Sequence, residues 1–167
     1  MIGTWLREAT VASYLLTVAR LWLGYQWLMA GWHKVTGEFS AAGFLRGAIA
    51  NSQGERPLVQ AWWASFLENF ALPNAALFEF MVAWGEVLVG IGLIVGAFSV
   101  LAVFFGMLMN FSFLLSGAIS VNPQMILVSF ILLSGSRNSG LIGLDRWIMP
   151  FLRARLPVLR NQAVTSG

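Results

Sequence analysis

The sequence contains four long apolar runs, and each has the length of a helix that crosses a membrane. A membrane-spanning helix needs about 17 to 25 mostly apolar residues. The pattern predicts an all-α protein, an integral membrane four-helix bundle folded as a single domain. The last run is broken near residues 134–140, so its end is the least defined. The predicted spans cover residues 13–31, 77–97, 100–116 and 123–144 of the 1–167 chain.

The connection between the first two runs, residues 32–76, is too long for a simple loop and predicts a structured outer segment. Two helices are expected in it, over residues 40–50 and 57–70. The second is rich in aromatic residues, Trp62 and Trp63 among them. Such a helix is typical of a membrane interface and favours a cap over the mouth of the bundle. A lid or a docking surface for a partner is the alternative.

Arginine residues cluster at and after the end of the fourth run, so the tail of residues 145–167 is basic. By the positive-inside rule, both termini are predicted to be cytoplasmic and the outer segment to face outward. The chain is 58% hydrophobic and only 10% charged, and its net charge of +3 reflects that tail. These features predict a multi-pass protein of the cell membrane, with membrane lipids and no nucleic acid among its partners.

The chain has no cysteine and one histidine, His33. The absence of cysteine excludes thiol relays, thiolate metal sites and iron–sulfur clusters within the chain. One histidine cannot supply two axial ligands to haem. We therefore expect no haem, iron–sulfur cluster or metal in this chain alone. Redox chemistry must then use a bound cofactor or substrate.

Arg20 and Glu86 are charged residues deep inside apolar runs. A charge in hydrocarbon costs about 2.5 to 3.5 kcal/mol or more, so it persists only where it is paired, solvated or used. We predict that the two side chains face each other across the first and second spans. The pair either fixes helix register alone or lines a polar cavity that handles a head group, a quinone oxygen or a proton. In the second case Glu86 and Arg20 are the catalytic candidates.

Further candidates lie on stripes at helical spacing. Arg20, Trp27 and Lys34 recur at steps of seven and share one face of the first span. Asn110 lies near the middle of the third span, where a hydrogen bond between helices is the alternative to a ligand contact. His33 lies at the outer end of the first span, where a solvated boundary residue is the alternative. The candidate substrate-binding residues are Lys34, His33, Asn110 and Trp27.

Four short stretches resemble the DoxX/DoxD-like family of small four-span membrane proteins. They are Arg20-Leu-Trp-Leu-Gly24, Ala30-Gly-Trp-His-Lys34, Glu86-Val-Leu-Val-Gly-Ile-Gly-Leu93 and Ser116 to Pro123. The resemblance covers roughly residues 18–144. It implies a relation to the DoxD subunit of thiosulfate:quinone oxidoreductase, which works with a second subunit. Arg20, Lys34 and Glu86 match the characteristic polar positions of the family.

The function expected from these arguments is a membrane subunit of a redox system that interacts with a quinone cofactor. Thiosulfate:quinone oxidoreductase-like activity with a second oxidoreductase subunit is one form of it. A non-catalytic membrane anchor or assembly protein for a partner is the first alternative. A small transporter of protons or lipid-like solutes is the second, since buried ionisable residues also mark such pathways. The substrate and the oligomeric state, a homo-oligomer included, are left open.

Overall fold

A computed structural model describes residues 2–155, and its regular elements are all helical within that range. The all-α prediction is confirmed. The part of the predicted basic tail after Arg155 lies outside the described residues. The α-helices are α1 (Ile2–Glu8), α2 (Thr10–Thr36), α3 (Ala41–Ala50), α4 (Ala61–Phe66), α5 (Ala75–Val95), α6 (Ser99–Leu115), α7 (Asn122–Gly135) and α8 (Asp145–Arg155). A π-helical turn, Leu67–Ala71, follows α4, and a 3-10 helix, Ser136–Gly140, follows α7.

Four helices, α2, α5, α6 and α7, pack in a ring. α2 packs most extensively against α5 and also contacts α7, while α6 contacts both α5 and α7. Each helix therefore has two neighbours, and their facing sides form one apolar core. The buried residues of this core are Leu16, Leu23, Trp27, Val89, Leu93, Val103, Met125 and Leu132.

α2 and α5 approach each other closely because glycine faces the neighbouring backbone at two positions. A Cβ atom at Gly31 would lie 2.6 Å from the backbone nitrogen of Val87. A Cβ atom at Gly90 would lie 2.5 Å from that of Leu28. Small residues permit this approach, and larger ones would push the helices apart. The face of α2 that carries Gly31 therefore packs against α5.

The outside of the ring is apolar. Soluble monomers rarely expose continuous apolar surface on this scale, so the molecule has the character of a membrane protein. Large apolar side chains that are exposed include Val11, Leu15 and Val18 on α2, Phe80, Leu88 and Ile91 on α5, and Leu101, Phe104 and Leu108 on α6.

Among the described helices, α5 alone has both the length and the hydropathy of a membrane span, with 21 residues and a mean hydropathy of 1.9. The pair formed by Asn122–Gly140 and α8 passes the same test only when taken together, and it bends by 79° at its break. α6 is apolar but has 17 residues, and α2 has 27 residues but carries Arg20 and Lys34. The four-span arrangement therefore stays a prediction.

The outer segment folds into two short helices beside one end of the ring. α3 confirms the first predicted helix, whereas the helix predicted over 57–70 begins only at Ala61. The Asn51 carbonyl oxygen accepts hydrogen bonds from the backbone nitrogens of Leu58 and Val59, at 3.0 and 3.3 Å, which holds this stretch in a turn. The segment buries a small core of its own, formed by Leu45, Ala48, Leu67 and Ala71.

The structure of the fourth apolar run confirms the break predicted near residues 134–140. Within the span predicted over 123–144, α7 ends at Gly135, which is inside the predicted break. Ser136 then has a φ of 48°, in the left-handed region, where a regular α-helix cannot continue. The 3-10 helix and a short connection lead from there to α8.

Candidate functional site

Lys34 and Glu86 form an ion pair between α2 and α5. Lys34 lies in the last turn of α2, and its Nζ lies 2.6 Å from Glu86 Oε2. The Glu86 side chain is 1% exposed and the lysine side chain 23%. The contact is possible because α5 approaches α2 at Gly31, where a Cβ atom would lie 2.9 Å from Glu86 Cβ. The lysine is therefore the more accessible partner of the two.

Arg20 does not pair with Glu86, so the predicted contact between them is wrong. Its Nη1 donates to the carbonyl oxygen of Leu93 and its Nη2 to that of Ile142, both at 2.6 Å. Leu93 follows Glu86 by seven residues, which is about 10 Å along a helix. Since α5 ends at Val95, the Leu93 carbonyl belongs to the last turn, where acceptors lack helical partners and a cation is favourable. Arg20 thus ties the end of α5 to the connection before α8.

A partly open cavity of about 410 Å³ lies beside the ion pair, lined by the outer segment and by α2, α5, α6 and α7. Lys34 and Glu86 are both in its wall, which is otherwise mostly apolar. Sites for small lipophilic molecules have about 300 to 1,000 Å³ and combine apolar walls with a few polar groups. The cavity meets both conditions. Its aromatic wall residues are Trp27, Phe39, Phe44, Trp63, Phe66, Phe78 and Phe113.

Two aromatic rings lie near the ammonium group of Lys34. Its Nζ lies 5.5 Å from the ring centre of Phe39 and 5.8 Å from that of Phe113, both within cation–π range. On another part of the wall, Trp63 is fixed because its Nε1 donates to Ser116 Oγ at 2.9 Å. The polar end of the cavity is therefore held by contacts from α2, α6 and the outer segment together.

Three of the six predicted site residues line this cavity: Lys34, Glu86 and Trp27. Trp27 packs against Phe113, with ring centroids 6.4 Å apart. His33 is exposed and does not line the cavity. Asn110 is fully buried on α6, away from the wall, and neither atom of its amide has a hydrogen-bond partner among residues 2–155. The structure thus gathers half of the predicted residues in one place.

Sequence reasoning did not identify the aromatic residues that the outer segment contributes, such as Phe39 and Phe44. The sequence feature that could have indicated them is the aromatic content of the outer segment, which was predicted to cap the bundle. Which of its rings face inward depends on how α3 packs against α5. That packing follows from the buried cluster around Leu45, which local periodicity alone does not reveal.

The ionisable groups of the cavity suit an organic ligand. Within residues 2–155, His, Asp and Glu side chains form no group of three or more that could hold a metal ion. A lysine ammonium has three donors, and Glu86 takes one of them, so the others can donate to a carbonyl oxygen. The neighbouring carboxylate can take up or release a proton. The pair therefore offers a donor and a proton acceptor at one point of an apolar wall.

Comparison with protein-family models gives a match. The family model DoxX matches residues 15–118, which is more than half of the chain and includes both members of the ion pair. The matched region runs from α2 to the turn after α6, so it contains most of the cavity wall. No curated protein and no solved structure matches the chain.

Proposed function

Because the chain belongs to the DoxX family, we propose that it is a membrane subunit of a redox system and binds a quinone in the cavity beside Lys34 and Glu86. The observation that carries this proposal is an aromatic cavity with a single ion pair in its wall. An apolar wall suits the ring and tail of a quinone, and a few polar groups fix its orientation. Thiosulfate:quinone oxidoreductase, with this chain as a DoxD-like subunit, is the specific form that the family resemblance suggests.

The residues of the cavity fit such a ligand. A quinone, when bound, supplies two-electron and two-proton chemistry. Lys34 would donate a hydrogen bond to one ring oxygen, because its ammonium is directed at the cavity and keeps two donors beyond the one that Glu86 accepts. Glu86 would exchange a proton at that end of the cavity. Phe39 and Phe113 lie beside the ammonium and would contact the ring.

The electrons of this reaction are proposed to come from another protein. The chain has no cysteine, so it cannot use a thiol relay of its own. A second oxidoreductase subunit would deliver the electrons to the cavity or receive them from it. The chain is therefore proposed as a quinone-binding subunit, and the catalytic activity would belong to the complex.

We also propose that the ring spans the cell membrane as a multi-pass bundle with both termini cytoplasmic. The apolar outer surface of α2, α5 and α6 supports membrane insertion. The arginines near and within α8 mark one end of the ring, and the outer segment lies at the other. By the positive-inside rule the arginine-rich end faces the cytoplasm.

Quinone binding can be tested on the purified protein in mild detergent. Trp27 and Trp63 line the cavity, so titration with a short-chain quinone should quench tryptophan fluorescence. We expect Lys34→Met to weaken binding by about tenfold or more, since a hydrogen bond from a charged group contributes about 1.5 to 3 kcal/mol. Glu86→Gln should also weaken binding, because it removes the carboxylate that accepts from Lys34 and holds its ammonium in place.

Glu68→Gln is the matched control, because Glu68 is exposed and outside the cavity wall. It should bind with the affinity of the parent protein. Quinone should also be detected in solvent extracts of the gently purified parent protein. Equal affinity of all four proteins would contradict the proposed site.

One observation favours the partner-anchoring alternative. Leu58, Trp62 and Phe70 lie on the outer segment and are 72%, 59% and 54% exposed, although none of them lines the cavity. Exposed aromatic residues of this kind are common in protein interfaces. Replacing Trp62 and Phe70 with alanine should then release a co-purifying partner and leave quinone affinity unchanged. Retention of the partner would count against this alternative.

A further inference from the structure

A second cavity, of about 620 Å³, lies at the opposite end of α6 from the first. It is bounded by the first turns of α6, by the 3-10 helix and by α8. Its wall has two kinds of surface. One is basic and consists of Arg137, Arg146 and Arg153; the other is apolar and includes Val100, Leu101 and Phe104.

The three guanidinium groups outnumber the acidic side chains of the cavity wall, which has Asp145 alone. None of them forms an ion pair within residues 2–155. Residues 146–167 contain no Asp or Glu. Three cations around one cavity repel one another, and an anion between them would relieve that repulsion.

The acidic side chain in the wall, Asp145, is already engaged. Its two carboxylate oxygens accept hydrogen bonds from the backbone nitrogens of Phe98 and Ser99, at 2.6 and 2.8 Å. These nitrogens belong to the first turn of α6, where a carboxylate satisfies donors that lack helical partners. Asp145 is therefore a helix cap, and its charge offsets one of the three arginine charges, so the side chains of the wall keep a net charge of about +2.

The floor of this cavity is rigidly connected to the ring. The backbone nitrogens of Leu144 and Asp145 donate to the carbonyl oxygens of Val95 and Gly96, at 3.1 and 2.7 Å. Arg20 adds its two hydrogen bonds to the same region. The start of α8 is thus fixed against the end of α5. Ligand binding would therefore carry only a small entropic cost for ordering the site.

We propose that this cavity binds an anionic phospholipid. The phosphate would lie among Arg137, Arg146 and Arg153, since guanidinium groups pair with phosphate in a bidentate manner. An acyl chain would lie along Val100, Leu101 and Phe104, which are 46%, 53% and 50% exposed on the outer face of α6. A free phosphate ion has no apolar part that could contact these three side chains. Basic pockets beside membrane helices are recognised sites for acidic head groups.

Native mass spectrometry of the purified full-length protein tests the proposal. Phosphatidylglycerol is titrated against the protein, with phosphatidylcholine as the zwitterionic comparison. We expect preferential binding of phosphatidylglycerol, and a loss on the order of a hundredfold in the variant with Arg137, Arg146 and Arg153 all replaced by Gln, at about fivefold for each arginine. The single variants R146Q and R153Q, each expected to lose about fivefold, serve if the triple variant does not fold.

The matched control replaces three exposed arginines outside the cavity, Arg46, Arg56 and Arg155, with Gln. It changes the net charge by the same amount and should change the affinity for phosphatidylglycerol by less than about threefold. Equal losses in the two triple variants would overturn the proposal, because the attraction would then be a general effect of charge. Equal binding of the two lipids by the parent protein would overturn it as well.

A further arm separates the lipid from a free anion. Leu101→Ser with Phe104→Ser should weaken phosphatidylglycerol binding and leave the competition by inorganic phosphate unchanged. If these apolar replacements had no effect, and inorganic phosphate displaced the lipid at equal concentration, the site would be one for a free anion and the lipid proposal would be wrong.

Discussion

The Nζ atom of Lys34 lies 2.6 Å from Oε2 of Glu86, and this contact joins the last turn of α2 to the middle of α5. The two partners differ in access, with the carboxylate almost completely buried and the ammonium partly open to the cavity. An ion pair in such a place contributes little net stability, whereas loss of one partner is costly. The pair can therefore be tested for structure and for binding separately.

Replacing Lys34 with Met leaves the Glu86 carboxyl group buried without its partner. We expect the free energy of unfolding to fall by about 3 to 5 kcal/mol. The double variant with Lys34→Met and Glu86→Leu should recover most of this loss, because two apolar side chains need no charge compensation. Denaturant unfolding in detergent measures both. The exposed Glu68→Gln should lie within about 0.5 kcal/mol of the parent protein, and equal losses in the single and double variants would contradict the expectation.

Arg20→Met removes two hydrogen bonds from a charged donor to backbone carbonyls. We expect the free energy of unfolding to fall by about 2 to 4 kcal/mol, since each such bond contributes about 1.5 to 3 kcal/mol and the burial of the charge is relieved. Quinone affinity should stay within about threefold, because Arg20 lies outside the cavity wall. If the variant kept its stability and lost binding, the catalytic role predicted from sequence would be supported instead.

Gly90→Ala should disturb the contact between α2 and α5. The new Cβ atom would meet the Leu28 backbone nitrogen at 2.5 Å, and backbone atoms cannot rotate away. We expect a loss of about 1 to 3 kcal/mol in unfolding free energy.

Gly47→Ala is the matched comparison for this test, because a Cβ atom there has nothing within 4 Å and the residue lies inside α3. This variant should gain about 0.5 to 1 kcal/mol, since alanine is the better helix former. Equal changes in the two proteins would mean that helix propensity, and not the helix contact, determines the cost.

The absence of cysteine makes the membrane orientation directly measurable. Single cysteines introduced at Gln53, on the outer segment, and at Arg155, at the end of α8, occupy exposed positions near opposite ends of the ring. A membrane-impermeant maleimide applied to intact cells should label the first variant and should label the second only after permeabilisation. The reverse pattern would invert the proposed orientation.

Helical periodicity predicted one face of α2 correctly. Trp27 and Lys34 were predicted to share this face, and the structure places both in the cavity wall, with Gly31 between them against α5. The partner of Glu86 was missed because α2 extends to Thr36, five residues past the predicted end of the first span. Because α2 and α5 run antiparallel, the contact between Gly31 and Val87 places Lys34 near Glu86.

The partners of Arg20 could not be predicted by the same means. Its acceptors are the backbone carbonyls of Leu93 and Ile142, and a carbonyl is present at every residue. Sequence therefore identifies a buried cation but gives no information about which acceptors it meets. The aromatic wall residues could not be predicted for a similar reason, because Phe44 reaches the cavity only through the packing of α3 on α5.

The ion pair joins residues that are 52 positions apart and so encloses the whole outer segment in one loop. The cavity wall consequently does not exist until α5 has docked on α2. A chain that has inserted α2 alone carries an uncompensated Lys34 and has no binding surface, which makes the ligand site a sign of completed assembly. A ligand that binds only this assembled state would raise its stability, by about 2.7 kcal/mol at a hundredfold excess over Kd. The concentration of ligand would then determine what fraction of the newly made protein is in the assembled state.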